Sequence, residues 1–306
     1  MLRAIILGAG AGGGFPQWNS AGPGCRRSRG GDPAAPPRSQ ASLAVSADGD
    51  RWLLVNASPD LRQQIAATPA LHPRPEPLRN SPIAAVLLTG GEVDTIAGLL
   101  SLRERQGFRL YAAPPTLRVL EENPIFRCLN PDFVRREALP LGTGFEPCDS
   151  AGAKLGLRIT AHAVPGKVPL FKEGDAAPGI AEDGETLGLE IRAVSGGGTL
   201  HYIPGCAAMT PALRDRLRGA ECALFDGTLY TDDEMIRAGA GPKTGRRMGH
   251  MPVKETVAEF APLGVRRRVL VHLNNTNPAL LADSPERAAL REAGWEVAED
   301  GMEIAL

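Results

Sequence analysis

The fold of this chain is decided by the stretch IAAVLLTGGEVDTIAGLL, residues 83–100. Its beginning is a continuous aliphatic run, which is typical of a strand that is buried on both faces of a sheet. A turn with two glycines and two carboxylates, Glu92 and Asp94, follows, and a helix is predicted to begin there. Side chains just beyond such a strand project into the crevice where open α/β sheets bind ligands.

The two acidic residues of this turn have two interpretations. Carboxylates offer hard oxygen ligands to a cation, and the adjacent glycines let the backbone approach such an ion closely. Alternatively, the turn is the acidic amino terminus of a helix that the helix dipole stabilises, with Asp94 as the N-cap. These residues alone leave both interpretations open.

The composition limits the classes of function. The chain has 306 residues, 43% of them hydrophobic, and a formal net charge of -1. This length suits one large α/β domain or two small ones. The low charge, without a basic stripe containing aromatics, argues against nucleic-acid binding. No apolar run is long enough to span a membrane, and the amino terminus resembles a first strand, so we expect a cytoplasmic protein.

The amino-terminal glycines suggest a nucleotide site that the following residues contradict. Residues 8–13 match the pattern G-x-G-x-x-G, but residues 14–23 contain prolines and further glycines. A pyrophosphate site needs a helix at that point, and these residues exclude a regular one. Residues 24–40 are predicted to form a long irregular loop. Its arginines, including Arg26, are candidates to bind substrate carboxylates, with a solvated basic loop as the alternative.

Strands and helices alternate through the rest of the chain in two β-rich halves without a linker. This order predicts one α/β domain over residues 1–306, in which two sheets pack face to face with helices outside. One helix is predicted to begin with Ser58 as its cap and Pro59 at its first position. The acidic residues 173–185 are predicted to form a flap.

Potential metal ligands follow several predicted strands. Asp226 and His272 end two aliphatic runs in the second half, and His250 precedes a predicted helix. Together with Glu92 and Asp94 they would lie at one sheet edge, where buried charges are costly unless they are paired or bind metal. Two histidines with carboxylates are the ligand type of non-haem iron(II) oxygenases. A core or capping role is the alternative for each histidine.

Other reactive residues carry weaker signals. The five cysteines are scattered and form no CxxC pair, which argues against a disulfide framework and a zinc finger. Cys206 is predicted to be a small buried group, with a redox role as the lesser alternative. His162 and His72 are predicted to be structural or exposed.

Several motifs identify a resemblance. The stretch 88–99 resembles the metal-binding turn of the metallo-β-lactamase superfamily, His-x-His-x-Asp-His. Nearly the whole chain resembles the coenzyme PQQ synthesis protein B family, and the resemblance implies an αββα sandwich. The motifs that carry it are residues 12–19, 56–60, 165–169, 225–228, 248–251 and 274–278.

The resemblance implies a role in making pyrroloquinoline quinone, PQQ, from a peptide-derived Glu-Tyr unit. One activity that it implies is iron- and oxygen-dependent hydroxylation of the tyrosine ring. The alternative is a carrier of PQQ or its precursor, involved in transport towards the periplasm. The expected partners are this precursor or PQQ, other PQQ biosynthesis proteins and, as an open alternative to a monomer, a second copy of the chain.

The chain also departs from the patterns that it resembles. The superfamily histidines fall on Gly90, Glu92, Thr95 and Lys167. The changes at Gly90, Glu92 and Lys167 are usual in the family and argue against hydrolysis by two zinc ions. The family usually keeps a histidine at the position of Thr95, so one iron ligand is missing here.

A cysteine cluster of the family, associated with structural zinc, is also incomplete. Its positions hold Ser20 and Gly22, and only Cys25 remains. The resemblance therefore implies that this chain lacks a structural zinc ion.

The resulting site hypothesis combines the residues and the resemblance. It proposes that one iron(II) ion, the expected cofactor, is surrounded by the catalytic residues Asp94, Asp226, His250 and His272. Glu92 is expected to be an additional ligand or a base. The residues expected to bind substrate are Lys167, Arg26 and Asn275.

Overall fold

The computed structural model describes residues 1–174 and 179–306, which form two β-sheets with helices on their outer faces. The strands are β1 Arg3–Gly8, β2 Ser42–Ser46, β3 Trp52–Val55, β4 Ile83–Leu87, β5 Phe108–Ala112, β6 Val134–Ala138, β7 Leu157–Ala163, β8 Leu187–Ala193, β9 Leu200–Ile203, β10 Cys222–Asp226, β11 Arg267–Val271, β12 Trp295–Val297 and β13 Glu303–Ala305. The helices are α1 Pro23–Arg29, α2 Leu61–Ala67, α3 Val93–Ile96, α4 Pro114–Glu122, α5 Pro211–Leu217, α6 Glu234–Arg237, α7 Val253–Phe260 and α8 Pro285–Glu292.

Each sheet has a parallel part and an antiparallel part. The first has the strand order β13-β1-β2-β3-β4-β5-β6, and the second has the order β12-β11-β10-β9-β8-β7. Strands β3 to β6 are parallel in the first sheet, and β9 to β12 are parallel in the second. The carboxyl ends of parallel strands meet at one edge of a sheet, which is where ligand-binding groups collect.

Three apolar clusters define four layers. The central cluster lies between the sheets and includes Leu53 and Leu87 from the first sheet and Leu189 and Leu224 from the second. A second cluster packs α2 and α4 on the outer face of the first sheet. The third packs α5, α7 and α8 on the outer face of the second sheet. The prediction of an αββα sandwich is therefore confirmed.

Two local predictions about the first half are wrong. The segment predicted as an irregular loop begins with helix α1, because Pro23 has the φ angle that a first helical position needs and Cys25 is buried. Helix α2 begins at Leu61 with Asp60 as its N-cap, rather than with Ser58 as its cap. The hydroxyl of Ser58 instead donates to the side chain of Gln64, at 3.1 Å.

A strand was also missing from the sequence prediction. Strand β6 has the sequence VRREA and pairs only with β5, at the edge of its sheet. An edge strand can be polar on much of its surface, so the sequence of β6 lacks the aliphatic pattern of a buried strand. The β8–β9 antiparallel pair confirms the predicted hairpin. Of the predicted flap, residues 175–178 lie outside the described residues.

Within the described ranges 1–174 and 179–306, no helix is both long and apolar enough to cross a membrane.

Candidate functional site

The polar residues predicted from strand ends lie beside one cavity. Asp94 is in helix α3, just after β4, while Asp226 ends β10 and His272 follows β11. The cavity has a volume of about 810 Å³ and is lined by Asp94, His250 and His272. The site thus draws residues from the carboxyl ends of strands in both sheets.

Three of the predicted ligands converge. Asp226, His250 and His272 each place a potential ligand atom within 4.8 Å of the others. The two imidazole rings stack, with their centroids 5.3 Å apart and their planes 24° apart. Two histidines and one carboxylate suit non-haem iron(II) and are also compatible with zinc, so the donor set fits a metal ion.

The carboxylate of Asp226 is completely buried and held on both oxygens. Its Oδ2 accepts from the backbone N–H of Cys206 at 2.9 Å and lies 2.7 Å from His250 Nδ1. Its Oδ1 accepts from the backbone and hydroxyl of Thr228 at 3.0 and 2.6 Å. Burial raises the pKa of Asp226, but the charge and hydrogen bond of His250 outweigh burial, so the pKa lies below its ordinary value. Asp226 is therefore anionic and fixed.

Thr228 is the hub of this cluster and was not predicted from the sequence. Its hydroxyl oxygen lies 3.0 Å from His250 Nδ1 and 2.8 Å from His272 Nδ1. With Nδ1 of each ring engaged in this way, a metal would take Nε2, which in His272 also contacts Asp94. The sequence signal was a threonine two residues after Asp226, where a short hydroxyl side chain bonds back to its own turn.

His272 connects the cluster to Asp94. Its backbone has a φ of 59°, a left-handed conformation that is uncommon for residues other than glycine. Its Nε2 lies 3.0 Å from Asp94 Oδ2. Burial lowers the pKa of His272, but the hydrogen bond and charge of Asp94 outweigh burial and raise it overall. A metal ligated by this nitrogen would have to displace its proton.

The pKa of Asp94 is shifted in the opposite direction to that of His272. Burial raises its pKa, but the hydrogen bond and charge of His272, together with the charge of His250, lower it overall. Asp94 is not the N-cap of helix α3, as one interpretation of the sequence held, because that position belongs to Glu92. The side chain of Asp94 is thus available to the histidine cluster.

The side chains of Glu92 and Thr95 form hydrogen bonds outside the triad of Asp226, His250 and His272. Glu92 Oε1 accepts from Lys167 Nζ and from the backbone N–H of Leu170, both at 3.0 Å. The hydroxyl of Thr95 donates to the backbone oxygen of Glu92 at 2.9 Å. Glu92 and Lys167 still line the cavity. The structure thus brings Glu92 to the cavity but not into the triad of ligand atoms.

Two residues expected to bind substrate lie outside the lining of this cavity. Arg26 is in helix α1, and its guanidinium donates to the backbone oxygen of Ala21. Asn275 lines a second cavity of about 900 Å³. Its amide donates to Gln17 Oε1 at 2.8 Å, and its oxygen accepts from the thiol of Cys25 at 3.7 Å. A substrate in the first cavity would not reach these groups in their present positions.

The remaining candidate groups are structural. Burial raises the pKa of Cys206 to about 12, and its thiol donates to the backbone oxygen of Ala208 at 3.2 Å. Such a protonated thiol is a poor nucleophile, which favours the structural interpretation. Burial lowers the pKa of His162 to about 4, so this side chain is neutral. His72 is exposed.

The chain is similar to known proteins over its full length. The Beta-lactamase superfamily domain model matches residues 51–273. Coenzyme PQQ synthesis protein B of Gluconacetobacter diazotrophicus is 59% identical, with 99% of each chain covered. The protein of that name from Xanthomonas campestris pv. campestris is 54% identical, with both chains fully covered. The crystal structure of Zn²⁺-bound PqqB from Methylobacterium extorquens is 52% identical, with a TM-score of 0.94, and covers 99% of this chain and 100% of its own.

Proposed function

The chain belongs to the family of coenzyme PQQ synthesis protein B, within the β-lactamase superfamily, and from this premise we propose that it hydroxylates the tyrosine ring of a Glu-Tyr precursor in PQQ biosynthesis. The reaction would depend on iron and molecular oxygen: either both oxygen atoms enter the ring as two hydroxyl groups, or one enters and a two-electron reductant supplied with the substrate reduces the other to water. The observation that carries the proposal is the convergence of two histidines and one carboxylate beside a cavity. This donor set is the one that non-haem iron(II) oxygenases use.

In this proposal Asp226, His250 and His272 hold the iron, and Asp94 is a second carboxylate beside them. Bound iron(II) supplies the site at which oxygen is activated. The protein groups keep that site in one arrangement, because Thr228 fixes the Nδ1 side of both rings. Four groups that meet only through the fold can therefore act as one preorganised centre.

The cavity has the properties that a small aromatic substrate needs. Its volume of about 810 Å³ lies in the range of ordinary small-molecule sites. Exposed Leu170 and Phe171 contribute apolar surface to its lining, and Lys167 contributes a positive charge. We assign the tyrosyl ring to the apolar part of the cavity and a substrate carboxylate to the lysine.

Glu92 is our candidate for the base that accepts the proton lost from the ring. Glu92 lies outside the triad of converging ligand atoms, and its Oε1 is held by Lys167 and the backbone N–H of Leu170, so Oε2 is the oxygen left to accept a proton. The same ion pair keeps Glu92 at the rim of the cavity. This arrangement supports the role of base over that of an additional ligand.

The test is anaerobic loading with iron(II), followed by mixing with Glu-Tyr dipeptide in oxygenated buffer, with and without ascorbate as a reductant, and mass spectrometry of the products. We expect a product with one or two added oxygen atoms that disappears when a chelator is present. The variant His272→Asn should lose both bound iron and product. Asparagine tolerates the positive φ of this position, so the loss would report on the imidazole rather than on backbone strain.

The matched control is His72→Asn, which removes an exposed histidine that is not part of the cavity lining. It should retain iron and turnover at the level of the unchanged protein. Hydroxylated product formed by His272→Asn at the rate of this control would overturn the assignment.

The second candidate function is a carrier of PQQ or its precursor, involved in transport. The observation in its favour is Thr95, whose hydroxyl donates to its own helix turn and offers no imidazole to the metal. A carrier would bind PQQ to the cavity without iron and without consuming oxygen. Tight PQQ binding by a preparation that holds no iron and forms no product would favour this function.

Iron is the proposed metal, and zinc is the alternative that the named relative suggests. Metal analysis of the purified chain after competition between the two ions would distinguish them. The cytoplasmic location, the absence of a structural zinc ion and assembly as a homodimer or with other PQQ biosynthesis proteins remain predictions.

A further inference from the structure

A carboxylate of the chain itself lies among three cations at the cavity. Glu173 Oε1 lies 2.9 Å from Lys167 Nζ, and its Oε2 lies 3.2 Å from Lys243 Nζ and 3.4 Å from Arg247 Nη2. The side chain of Glu173 is largely covered, with 7% of its surface exposed. Such convergence of cations on one covered carboxylate is the arrangement of an anion-binding site.

The cations come from separate parts of the chain. Lys167 follows strand β7, whereas Lys243 and Arg247 belong to the segment that precedes α7. Glu173 comes directly after the short 3₁₀ helix Leu170–Lys172. These contacts therefore depend on tertiary folding, because Glu173 is not adjacent in sequence to any of the three cations.

Among the residues that the structure describes, this cluster carries an excess of positive charge. Three cations face two carboxylates, since Lys167 also contacts Glu92 at 3.0 Å. A cluster with excess positive charge attracts a further anion more strongly where it is partly shielded from water. An additional carboxylate could bind beside Glu173 or replace it.

The cluster also faces the proposed reaction site. Lys167 and Lys243 line the same cavity as His250 and His272. A ligand whose aromatic part approaches the histidines can thus extend a carboxylate towards these cations. Lysine supplies a point charge, and arginine adds a planar fork that matches the two oxygens of a carboxylate.

We propose that Lys167, Lys243 and Arg247 form the subsite for a substrate carboxylate, and that Glu173 occupies it as an internal competitor until the substrate binds. This proposal rests on the proposed function for the identity of the substrate, a Glu-Tyr unit with carboxylates at its side chain and its end. Specificity for acidic precursors follows, because an uncharged analogue cannot displace Glu173.

Competition with Glu173 predicts how much its removal should change the affinity for the substrate. The apparent affinity of a ligand is reduced by the fraction of protein whose site is available. If Glu173 fills the subsite most of the time, its removal should tighten binding by roughly threefold to tenfold. Removal of a cation should instead weaken binding, because the attraction itself is lost.

The experiment measures binding by isothermal titration calorimetry on the full chain, under anaerobic conditions, with and without iron(II). The probes are the Glu-Tyr dipeptide and its uncharged counterpart, Gln-Tyr amide. Glu173→Gln should tighten binding of Glu-Tyr by roughly threefold to tenfold and leave Gln-Tyr amide unchanged. Lys243→Gln and Arg247→Gln should each weaken Glu-Tyr binding about tenfold, in line with the loss of one charge-assisted contact.

Lys154→Gln is the matched control, because this lysine pairs with Glu146 on the surface and lies outside the cavity lining. It should leave both affinities unchanged. Weaker or unchanged Glu-Tyr binding by Glu173→Gln would overturn the proposal, as would equal effects of the cation variants on both probes. Thermal unfolding of each variant verifies that it is folded.

The test of this subsite can succeed or fail independently of the test of the proposed function. Binding without oxygen involves no turnover, so the subsite can be demonstrated even if no hydroxylated product forms. In that case the same subsite would serve a carrier. Conversely, hydroxylation with no dependence of binding on these three cations would retain the proposed function and reject the subsite.

Discussion

Thr228 shows how one hydroxyl can organise several charged groups. Its proton can be donated to one acceptor only, and the short contact to Asp226 Oδ1, 2.6 Å, makes that carboxylate the acceptor. With its proton on that contact, its oxygen is left as an acceptor for an Nδ1–H of His272 and of His250, whose Nδ1 also lies 2.7 Å from Asp226 Oδ2. Thr228 and Asp226 together thus orient both rings from the Nδ1 side, and Nε2 of His272 contacts Asp94.

We therefore predict that Thr228→Val has a larger effect on the metal affinity than on the free energy of unfolding. The change keeps the shape of the side chain and removes the hydroxyl, so both Nδ1 atoms lose a partner. Loss of such an outer hydrogen bond typically lowers metal affinity about 10- to 100-fold. The measurement is the affinity for iron(II) or zinc by competition with a chromophoric chelator, together with the free energy of unfolding.

Thr228→Ser is the control, because serine keeps the hydroxyl and loses only a methyl group. It should retain metal affinity within a few-fold of the unchanged protein. Equal metal affinities for the serine and valine variants would mean that the hydroxyl does not orient the rings.

At the scale of elements, the turn after β4 depends on close backbone packing at Gly98. This glycine lies in the 3₁₀ helix Ala97–Leu102, and its N–H donates to Ala57 O at 2.8 Å. The N–H of Ala57 donates in turn to Thr95 O, also at 2.8 Å. The segment just after β3 thus fixes the helix turn that carries Asp94.

Gly98→Ala should disrupt this contact between elements. An added Cβ would lie 2.1 Å from Ser58 O, and a backbone atom cannot move aside as a flexible side chain can. We expect destabilisation of about 2 kcal/mol or more, the upper range of overpacking effects. The measurement is the midpoint of thermal unfolding by circular dichroism, with metal affinity as a second readout because Asp94 would shift.

Gly179→Ala is the control for the loss of a glycine, since among the described residues its Cβ would meet no atom within 4 Å. It should change stability by no more than about 0.5 kcal/mol, as surface substitutions usually do. A similar stability for both variants would show that the turn adapts to the added methyl group.

The elements also show what the sequence could predict. The aliphatic runs of β4, β10 and β11 predicted buried strands and placed Asp94, Asp226 and His272 at their ends, because burial on both faces leaves a clear pattern. Edge strand β6 has no such pattern. The contacts of Thr228 and Glu173 could not be predicted, because they join residues that are distant in sequence through turns whose geometry only the folded chain defines.

At the scale of the whole molecule, the site joins the two sheets. Asp94 follows a strand of the first sheet and His272 follows a strand of the second, and their side chains lie 3.0 Å apart. A metal ion held beside them would bind the folded chain and have no comparable site in the unfolded one. Its binding free energy would then add to the stability of the fold.

Glu234 gives the whole molecule a dependence on pH that lies apart from the metal cluster. It is buried, with Oε2 accepting from Tyr230 N–H at 2.7 Å and Oε1 accepting from the Thr276 hydroxyl at 2.6 Å. Burial is the largest influence and raises the pKa of Glu234 from 4.5 to about 7, against these hydrogen bonds. Ionising Glu234 in the folded chain therefore places a costly charge in a buried position.

The sign of the effect follows from proton binding. Between pH 4.5 and about 7, folded Glu234 binds more protons than it does in the unfolded chain, so its contribution to stability falls as pH rises. Each unit of pKa difference corresponds to about 1.4 kcal/mol, which gives a total of about 3 kcal/mol. The contribution is fully present below pH 4.5, is lost through this window and is constant above it.

Glu234→Gln removes this titration and can still accept from Tyr230. We predict that the free energy of unfolding of the variant, relative to the unchanged protein, increases from pH 4.5 to 7 and is then level. Urea unfolding across this range measures the difference, and subtraction cancels the contributions of the other titrating groups. Glu122→Gln, which changes an exposed glutamate of α4, is the matched control. A difference between Glu234→Gln and the unchanged protein that is independent of pH would mean that Glu234 is already ionised in the folded chain at pH 4.5, because the surrounding donors then outweigh its burial.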